Sequence, residues 1–588
     1  MVIKSRWTAP IPRCSLQQWI FESSRSPLPD KKQFLDADDP ENNYITLSEY
    51  RLLSKRVALG LIEAGLKPGD RVLVFSGNNI YFPSVFLGIL MAGGIFTGAN
   101  PTFVPRELAY QLDNSQATFM ITAAAALDTA LEAAQQVGLP RSSVFIFDKP
   151  SEVRSAKPGP GVNGRKNGAR HWTELLAGDP GRAESWDWVE PADPANTTCC
   201  LNYSSGTTGV PKGVEVSHYS YVANGAQVVA LRNLDPQGRG VHEGSRLLCF
   251  LPLYHAYGQT YFIANFARMQ LPVYVMPSFD FERMLRHVQT YRITSLAAVP
   301  PIVVALAKHP LARKYDLSSL EAIGSGAAPL MREVAQEVEK MLWPAGETVI
   351  HQGWGMTEVT CTCMAWDPTQ PAAKTGSSAV GELLPNCAAR IVEVGTGTDP
   401  ETNPAVEIRE PRRPGELWVT GPTLMRGYWR NPKATAETVV VDAADGTRWL
   451  RTGDVAFVEQ YRPGTLFHIV DRLKELIKVK GNQVAPAELE GVLLDRRDVA
   501  DAAVVGVTIK GEEVPRAYVV RAAGSRVSEQ EIAQWFAGRV ARYKQLRGGV
   551  KFVEAIPKNP SGKILRKILR DQAQKEVGDR PPQASRLS

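Results

Sequence analysis

The chain has 588 residues, 44% hydrophobic and 22% charged, with 67 Lys and Arg against 61 Asp and Glu. At about 150 residues per domain this is chain enough for roughly four domain-sized units, which excludes a lone small binding module, and its ordinary composition excludes wholesale disorder. The net charge of +6 is small for the length and forms no long basic block, so it argues against a nucleic-acid partner and supports only a modest pull toward anionic ligands.

The opening MVIKSRWTAPIPRC lacks the apolar core of a secretory signal. Residues 52–66 (LLSKRVALGLIEAGL) follow a helical pattern, KPGD marks a turn, and RVLVFS predicts a short buried strand. The same rhythm returns at residues 111–123 and 290–299, which predicts an α/β fold with mostly parallel sheets. The longest apolar run, FLGILMAGGIF at residues 86–96, falls well short of the roughly 20 residues that span a bilayer, so a soluble protein without membrane insertion is expected. Residues 155–196, rich in Gly, Pro and polar residues, read as an exposed linker. Between residues 380 and 470 short β runs such as AARIVEV and GELWVTG predict a β-rich subdomain, and residues 471–588 mix helices and strands as a separate α/β unit.

Seven cysteines, an odd number without CxxC spacing, argue against a disulfide framework or a zinc site and favour a reduced, cytoplasmic setting. The final Ser585-Arg586-Leu587-Ser588 approaches a peroxisomal address, but that signal requires Leu at the very end and is not matched.

The most informative segment is NYSSGTTGVPKG at residues 202–213. Small residues at Ser204, Ser205, Gly206, Thr207, Thr208 and Gly209 allow close backbone approach and offer N–H and hydroxyl donors, while Lys212 adds a mobile charge. This is chemistry suited to polyphosphate oxygens. It is not a Walker A loop, because Pro211 precedes the lysine and Gly213 follows it.

The extended wording YSSGTTGVPKGVEVSH resembles the signature of the adenylate-forming superfamily, which comprises acyl- and aryl-CoA ligases, luciferases and peptide-synthetase adenylation domains. Further similar motifs follow in order: GSGAAP at 324–329, QGWGMTE at 352–358, YWRNP at 428–432, RTGD at 451–454, DRLKELIK at 471–478 and PSGK at 560–563. DRLKELIKVKGNQVAPAELE and PKNPSGKILRK look most like the 4-coumarate-CoA ligase group. The resemblance implies a large N-terminal domain of two α/β subdomains plus a β-rich one over residues 1–470, and a small mobile α/β domain over 471–588 with its hinge near Lys474. It also implies ATP, Mg²⁺ and CoA: a carboxylate attacks the α-phosphate, pyrophosphate leaves, and the CoA thiol then displaces AMP. Neither step needs a nucleophilic side chain, so the protein has to position reactants and neutralise charge.

Carried onto this chain, the resemblance assigns Thr208 and Glu358 to the metal, Asp454 and Arg472 to the ribose, and Trp354 to the adenine face. Gln352, Gly353 and Thr357 join the nucleotide site with the loop residues above. Lys563 is the implied adenylation catalyst, reaching both the α-phosphate and the substrate carboxylate. Lys474 and Lys478 are expected to contact the adenylate, with Lys478 serving the second step, while Lys480 and Gly481 approach CoA after a domain rotation. Tyrosines at 254, 257 and 261 are spaced for one helix face. By resemblance His255 closes over the reacting carboxyl, and Tyr257, Tyr261, Ala327 and Ala328 wall an acyl pocket suited to a planar aryl acid. Coumarate ligases commonly carry Lys where this chain has Gly324, which disfavours a hydroxycinnamate and leaves benzoate-, nicotinate- or phenylacetate-like acids, or a medium-chain acid, open. A carrier-protein loader or luciferase-like oxidase shares the first step, and a catalytically dead nucleotide-binding regulator is the non-enzyme alternative.

Overall fold

The computed structural model describes residues 2–148, 169–176, 179–204, 210–235, 241–370, 376–397, 402–479, 482–559 and 562–578. Two large sheets, a β-rich sheet and a small C-terminal α/β unit follow one another, as the hydrophobic rhythm predicts.

The first sheet has eight strands. Its centre is parallel, running Thr198–Ser204, Ile95–Ala99, Arg71–Phe75, Ala117–Ala123, Val144–Phe147, and the hairpin strand Lys212–Ser217 is added antiparallel to Thr198–Ser204. Val72, Leu73, Val74 and Phe75 are all inaccessible to solvent, as a strand covered by helices on both faces must be. One covering helix, Leu47–Glu63, starts with a reciprocal capping box between Thr46 and Glu49. The long apolar run is divided between the buried helix Phe82–Met91 and the strand Ile95–Ala99, with Gly93 turning at φ +77° between them. Among the described residues no helix is long and apolar enough to cross a membrane.

A second, seven-stranded sheet runs His351–Gln352, Ala322–Ser325, Ser295–Ala298, Leu247–Cys249, Val273–Val275, Lys32–Asp36, Tyr44–Thr46, parallel except for its last pair. The β-rich sheet is antiparallel and pairs Arg448–Val458 with Phe467–Arg472. In the C-terminal unit, Val499–Ile509 and Glu512–Arg521 form a long antiparallel pair joined by Val550–Phe552, with helices Pro486–Leu494, Glu529–Ala537 and Arg566–Val577 packed around them.

One expectation fails. Part of the polar stretch 155–196 is core, not linker: Trp172 is fully buried and meets Phe147 edge-on at 5.1 Å, and Leu175 presses its carbonyl on Gly60, where a Cβ would lie 1.8 Å away. A few large apolar side chains outweigh many polar neighbours, because burying each contributes about 1.5–3 kcal/mol. Residues 149–168 lie outside the described residues.

Candidate active site

Two hairpins and one loop converge on the nucleotide-signature residues. Strands Thr198–Ser204 and Lys212–Ser217 carry Ser204 and Lys212 to one end of the first sheet. Ser205, Gly206, Thr207, Thr208 and Gly209 lie outside the described residues. The Ser204 hydroxyl donates to Glu358 Oε1 at 3.0 Å, and Tyr428 donates its phenol to the same oxygen at 2.9 Å. Lys212 Nζ sits 4.8 Å from the centre of the Tyr428 ring. Glu358, only 5% exposed, is thus a buried carboxylate whose described hydrogen bonds both fall on Oε1. Its other oxygen suits a hard cation. Tyr428 is the site residue that motif reading missed: YWRNP was visible as a motif, but its pairing with a carboxylate 70 residues away was not.

Asp454 and Arg472 are cross-strand partners in the β-rich sheet, which brings Arg472 Nε to 3.2 Å from Asp454 Oδ1. Trp354 Nε1 donates to Asp454 Oδ2 at 2.8 Å. Oδ1 is buried and, beyond this ion pair with Arg472, accepts no hydrogen bond, so it keeps acceptor capacity for a donor such as a ribose hydroxyl. Trp354 is 7% exposed and belongs to the main core, so most of its ring is spent on packing.

Gln352 lines the cavity described below and also clamps the neighbouring turn. Its Oε1 accepts from Leu330 N at 2.8 Å and its Nε2 donates to Leu330 O at 2.9 Å. This clamp fixes the GSGAAP turn, in which Ala327 takes the left-handed φ of +74°, a conformation that a non-glycine residue keeps only when its surroundings impose it. Gly353 N donates to Ser325 O at 3.0 Å, and Thr357 opens the short turn carrying Glu358.

A cavity of about 280 Å³ lies beside this turn, lined by His255, Tyr257, Tyr261, Gly324, Ala327, Thr357 and Lys563 among others. The tyrosine stripe is reorganised by local structure. Tyr254 precedes the helix and lends its carbonyl to Gln259, while a π-helical turn over Gln259–Asn265 leaves Tyr257 and Tyr261 edge-to-face at 5.2 Å. Only the latter two wall the cavity. Tyr261 is further fixed by a 3.0 Å bond between its hydroxyl and Thr362.

Lys563 comes from the C-terminal unit on a tight turn in which Asn559 accepts from Lys563 N at 2.9 Å. Gly562, at φ +79°, lets that turn rest on Val299 and Pro301, where a Cβ would come within 3.2 Å. A second cleft between the two domains, about 440 Å³, shares Lys563 and Ala327 with the acyl cavity and also contains Ala328 and Arg472. Burial and the Arg472 charge lower the Lys563 pKa to about 8, against the pull of Asp454 and Glu358. Burial, and then Lys563, lowers His255 to about 4, so at neutral pH this imidazole is uncharged; its Nδ1 accepts from Tyr257 N.

These shifts predict a pH profile. The lysine is useful as an ammonium, and kcat/KM reports the free enzyme, so kcat/KM for acid-dependent ATP–pyrophosphate exchange is expected to fall as pH rises through about 8. A profile flat to pH 10 would remove the assignment.

Residues 21–429 match the AMP-binding enzyme family and residues 488–563 match the AMP-binding enzyme C-terminal domain. The chain belongs to the AMP-binding enzyme family. It is 36% identical to phenylacetyl-CoA ligase epaB of Aspergillus niger over 98% of this chain and 100% of that protein. With 4-coumarate--CoA ligase 1 of Petroselinum crispum it shares 37% identity, over 96% and 95% of the two chains. ATP-bound MatB from Rhodopseudomonas palustris superposes with a TM-score of 0.76 at 25% identity, covering 96% of this chain and 99% of that one.

Within this AMP-binding enzyme the second set of lysines stands apart from the site. Lys474 and Lys478 are exposed and line neither cavity, and Lys478 N donates to Glu513 in the C-terminal unit. Lys480 and Gly481 lie outside the described residues. The arrangement therefore brings Lys563 to the acyl cavity and leaves Lys474 and Lys478 exposed away from it.

Proposed function

We propose that this protein is an ATP-dependent acyl-CoA ligase for an aromatic carboxylic acid, releasing AMP and pyrophosphate. The observation that carries this reading is Lys563, delivered from the C-terminal unit into a cavity it shares with His255 and Ala327, with Asp454 and Glu358 near enough to act on its charge. In the first step a carboxylate oxygen forms a bond to the α-phosphorus as the bond to pyrophosphate breaks. Lys563 offsets the charge concentrated between the two anions. Asp454 receives the ribose hydroxyls, and Arg472 and Trp354 hold that carboxylate in place. Glu358, with Thr208, would hold Mg²⁺ through oxygen, and the cation would supply charge neutralisation on the phosphates. In the second step the CoA sulfur bonds to the acyl carbon and AMP leaves, with the Lys474–Gly481 face turned to the site.

The aromatic class is supported by the shape of the slot. Tyr257, Tyr261 and Phe266 line it together with the small residues Ala297, Ala322, Gly324 and Gly326. The slot follows the paired strands Ser295–Ala298 and Ala322–Ser325, three residue steps or about 10 Å. The phenylacetyl-CoA ligase relative points the same way.

A Cβ built on Gly324 meets no heavy atom within 4 Å. Gly324→Ala is therefore expected to be tolerated, whereas Gly324→Leu fills the slot and raises KM for long aryl acids by about tenfold or more, since one methylene of misfit is worth roughly 1–3 kcal/mol. KM values across a size series of acids check this. The function itself is tested by ATP–pyrophosphate exchange over an acid panel with and without CoA. Acid-dependent exchange with thioester formation is expected; adenylate without thioester would favour a carrier loader, and no exchange with any acid would favour a regulator.

A further inference from the structure

The helix Pro300–Lys308 touches the C-terminal unit at both ends. At its start Pro301 abuts Gly562, the residue before Lys563. At its finish, about 10 Å away, Lys308 reaches the end of the C-terminal helix Pro486–Leu494. There its Nζ donates to three main-chain carbonyls, Leu494 O at 2.6 Å, Val499 O at 2.8 Å and Arg496 O at 3.4 Å. An ammonium has three donors and no acceptor, so this contact matches its full capacity. Leu494 closes its helix, and a carbonyl there lacks an intrahelical partner and carries the negative end of the dipole, which favours a cation; Arg496 and Val499 follow in the turn and at the start of the next strand. The same helix is seated tightly against the large domain, for a Cβ on Gly491 would lie 2.1 Å from Met331 Cε.

We propose that Lys308 is a positioning residue for adenylation: it latches the C-terminal domain in the pose that puts Lys563 in the acyl cavity, and it must let go before the Lys474–Gly481 face can turn to the site. Lys308 touches no reactant and lines neither cavity. It acts through the distance it fixes between the large domain and the domain bearing Lys563. Its surroundings are consistent with a held cation: burial lowers its pKa, while Glu337, Asp495, Asp501 and Asp498 oppose that shift. The inference rests on the acyl-CoA ligase reading, because a latch on one pose has a kinetic consequence only if the domain alternates between two.

The test compares wild type with Lys308→Met, which keeps the stem and removes the ammonium. Exchange is measured with the panel acid that serves wild type best, thioester formation is measured separately from synthetic acyl-adenylate and CoA, and Tm is recorded. Hydrogen bonds to a charged group are strong enough that acid-dependent exchange is expected to fall by about tenfold, with the adenylate-to-thioester rate unchanged or faster. Lys308→Arg, which keeps a cation over the same carbonyls, is expected to restore most of the exchange. A purely structural role would lower both half-reactions together with Tm, and that result, or unchanged exchange in Lys308→Met, overturns the latch. Wild type that exchanges with no acid would instead overturn the ligase reading.

Discussion

Replacing Lys563 with Ala is expected to lower adenylate formation by roughly 10²–10³-fold, in line with removal of one preorganised donor to a developing charge, while leaving thioester formation from supplied adenylate largely intact. The asymmetry is the informative part. Lys563 is carried on a turn fixed by Asn559 and seated on Pro301, so the substitution removes a charged tip from a cavity without disturbing a core. Removing it also relieves one of the two causes that lower the His255 pKa, and the imidazole becomes slightly easier to protonate. Pyrophosphate exchange and single-turnover thioester formation separate the half-reactions. Equal loss in both would remove Lys563 from its assigned role.

Asp454→Ala is the second large effect expected. The carboxylate takes the Trp354 indole on Oδ2 at 2.8 Å and faces Arg472 with Oδ1 at 3.2 Å, and Oδ1 makes no hydrogen bond beyond that ion pair. Hydrogen bonds to a charged acceptor contribute about 1.5–3 kcal/mol each, so loss of the ribose contacts is expected to lower kcat/KM for ATP by roughly 10²-fold. The KM for the acid should change little, because Asp454 does not line the acyl cavity. The substitution also leaves the Trp354 N–H buried and unpaired, a cost of about 1–3 kcal/mol, so Tm is expected to drop. Titration of ATP at fixed acid, and of acid at fixed ATP, distinguishes the two sides of the site. An unchanged KM for ATP would assign Asp454 a structural role alone.

Much of the site was legible because its chemistry is local in sequence. Lys563 and His255 each sit in a short motif whose residue types already suit the task, and both face one cavity. Gln352 shows the limit of such reading. Its motif position gave no hint that both ends of its amide engage Leu330, a partner set by the pairing of the strands Ala322–Ser325 and His351–Gln352. Tyr254 shows another limit: a periodic count assumes that all three tyrosines are helical, and Tyr254 lies ahead of the helix that starts at Ala256. In residues 169–176 composition misled, because the polarity of a segment averages over the few residues that decide its burial.

The amino-acid sequence alone determined the alternation of helices and buried strands, the β-rich segment after them, the reduced cysteines, and the ordered motifs that carry the family. These follow from hydrophobic period and from residue chemistry, which are properties of short stretches. Tertiary structure alone decided which residues meet. It placed Tyr428 on Glu358, Arg472 on Asp454, and Lys308 on three carbonyls of another domain. It also decided which face of the C-terminal domain is at the site. Such contacts join residues far apart along the chain through sheet register and domain packing, and no local pattern encodes them.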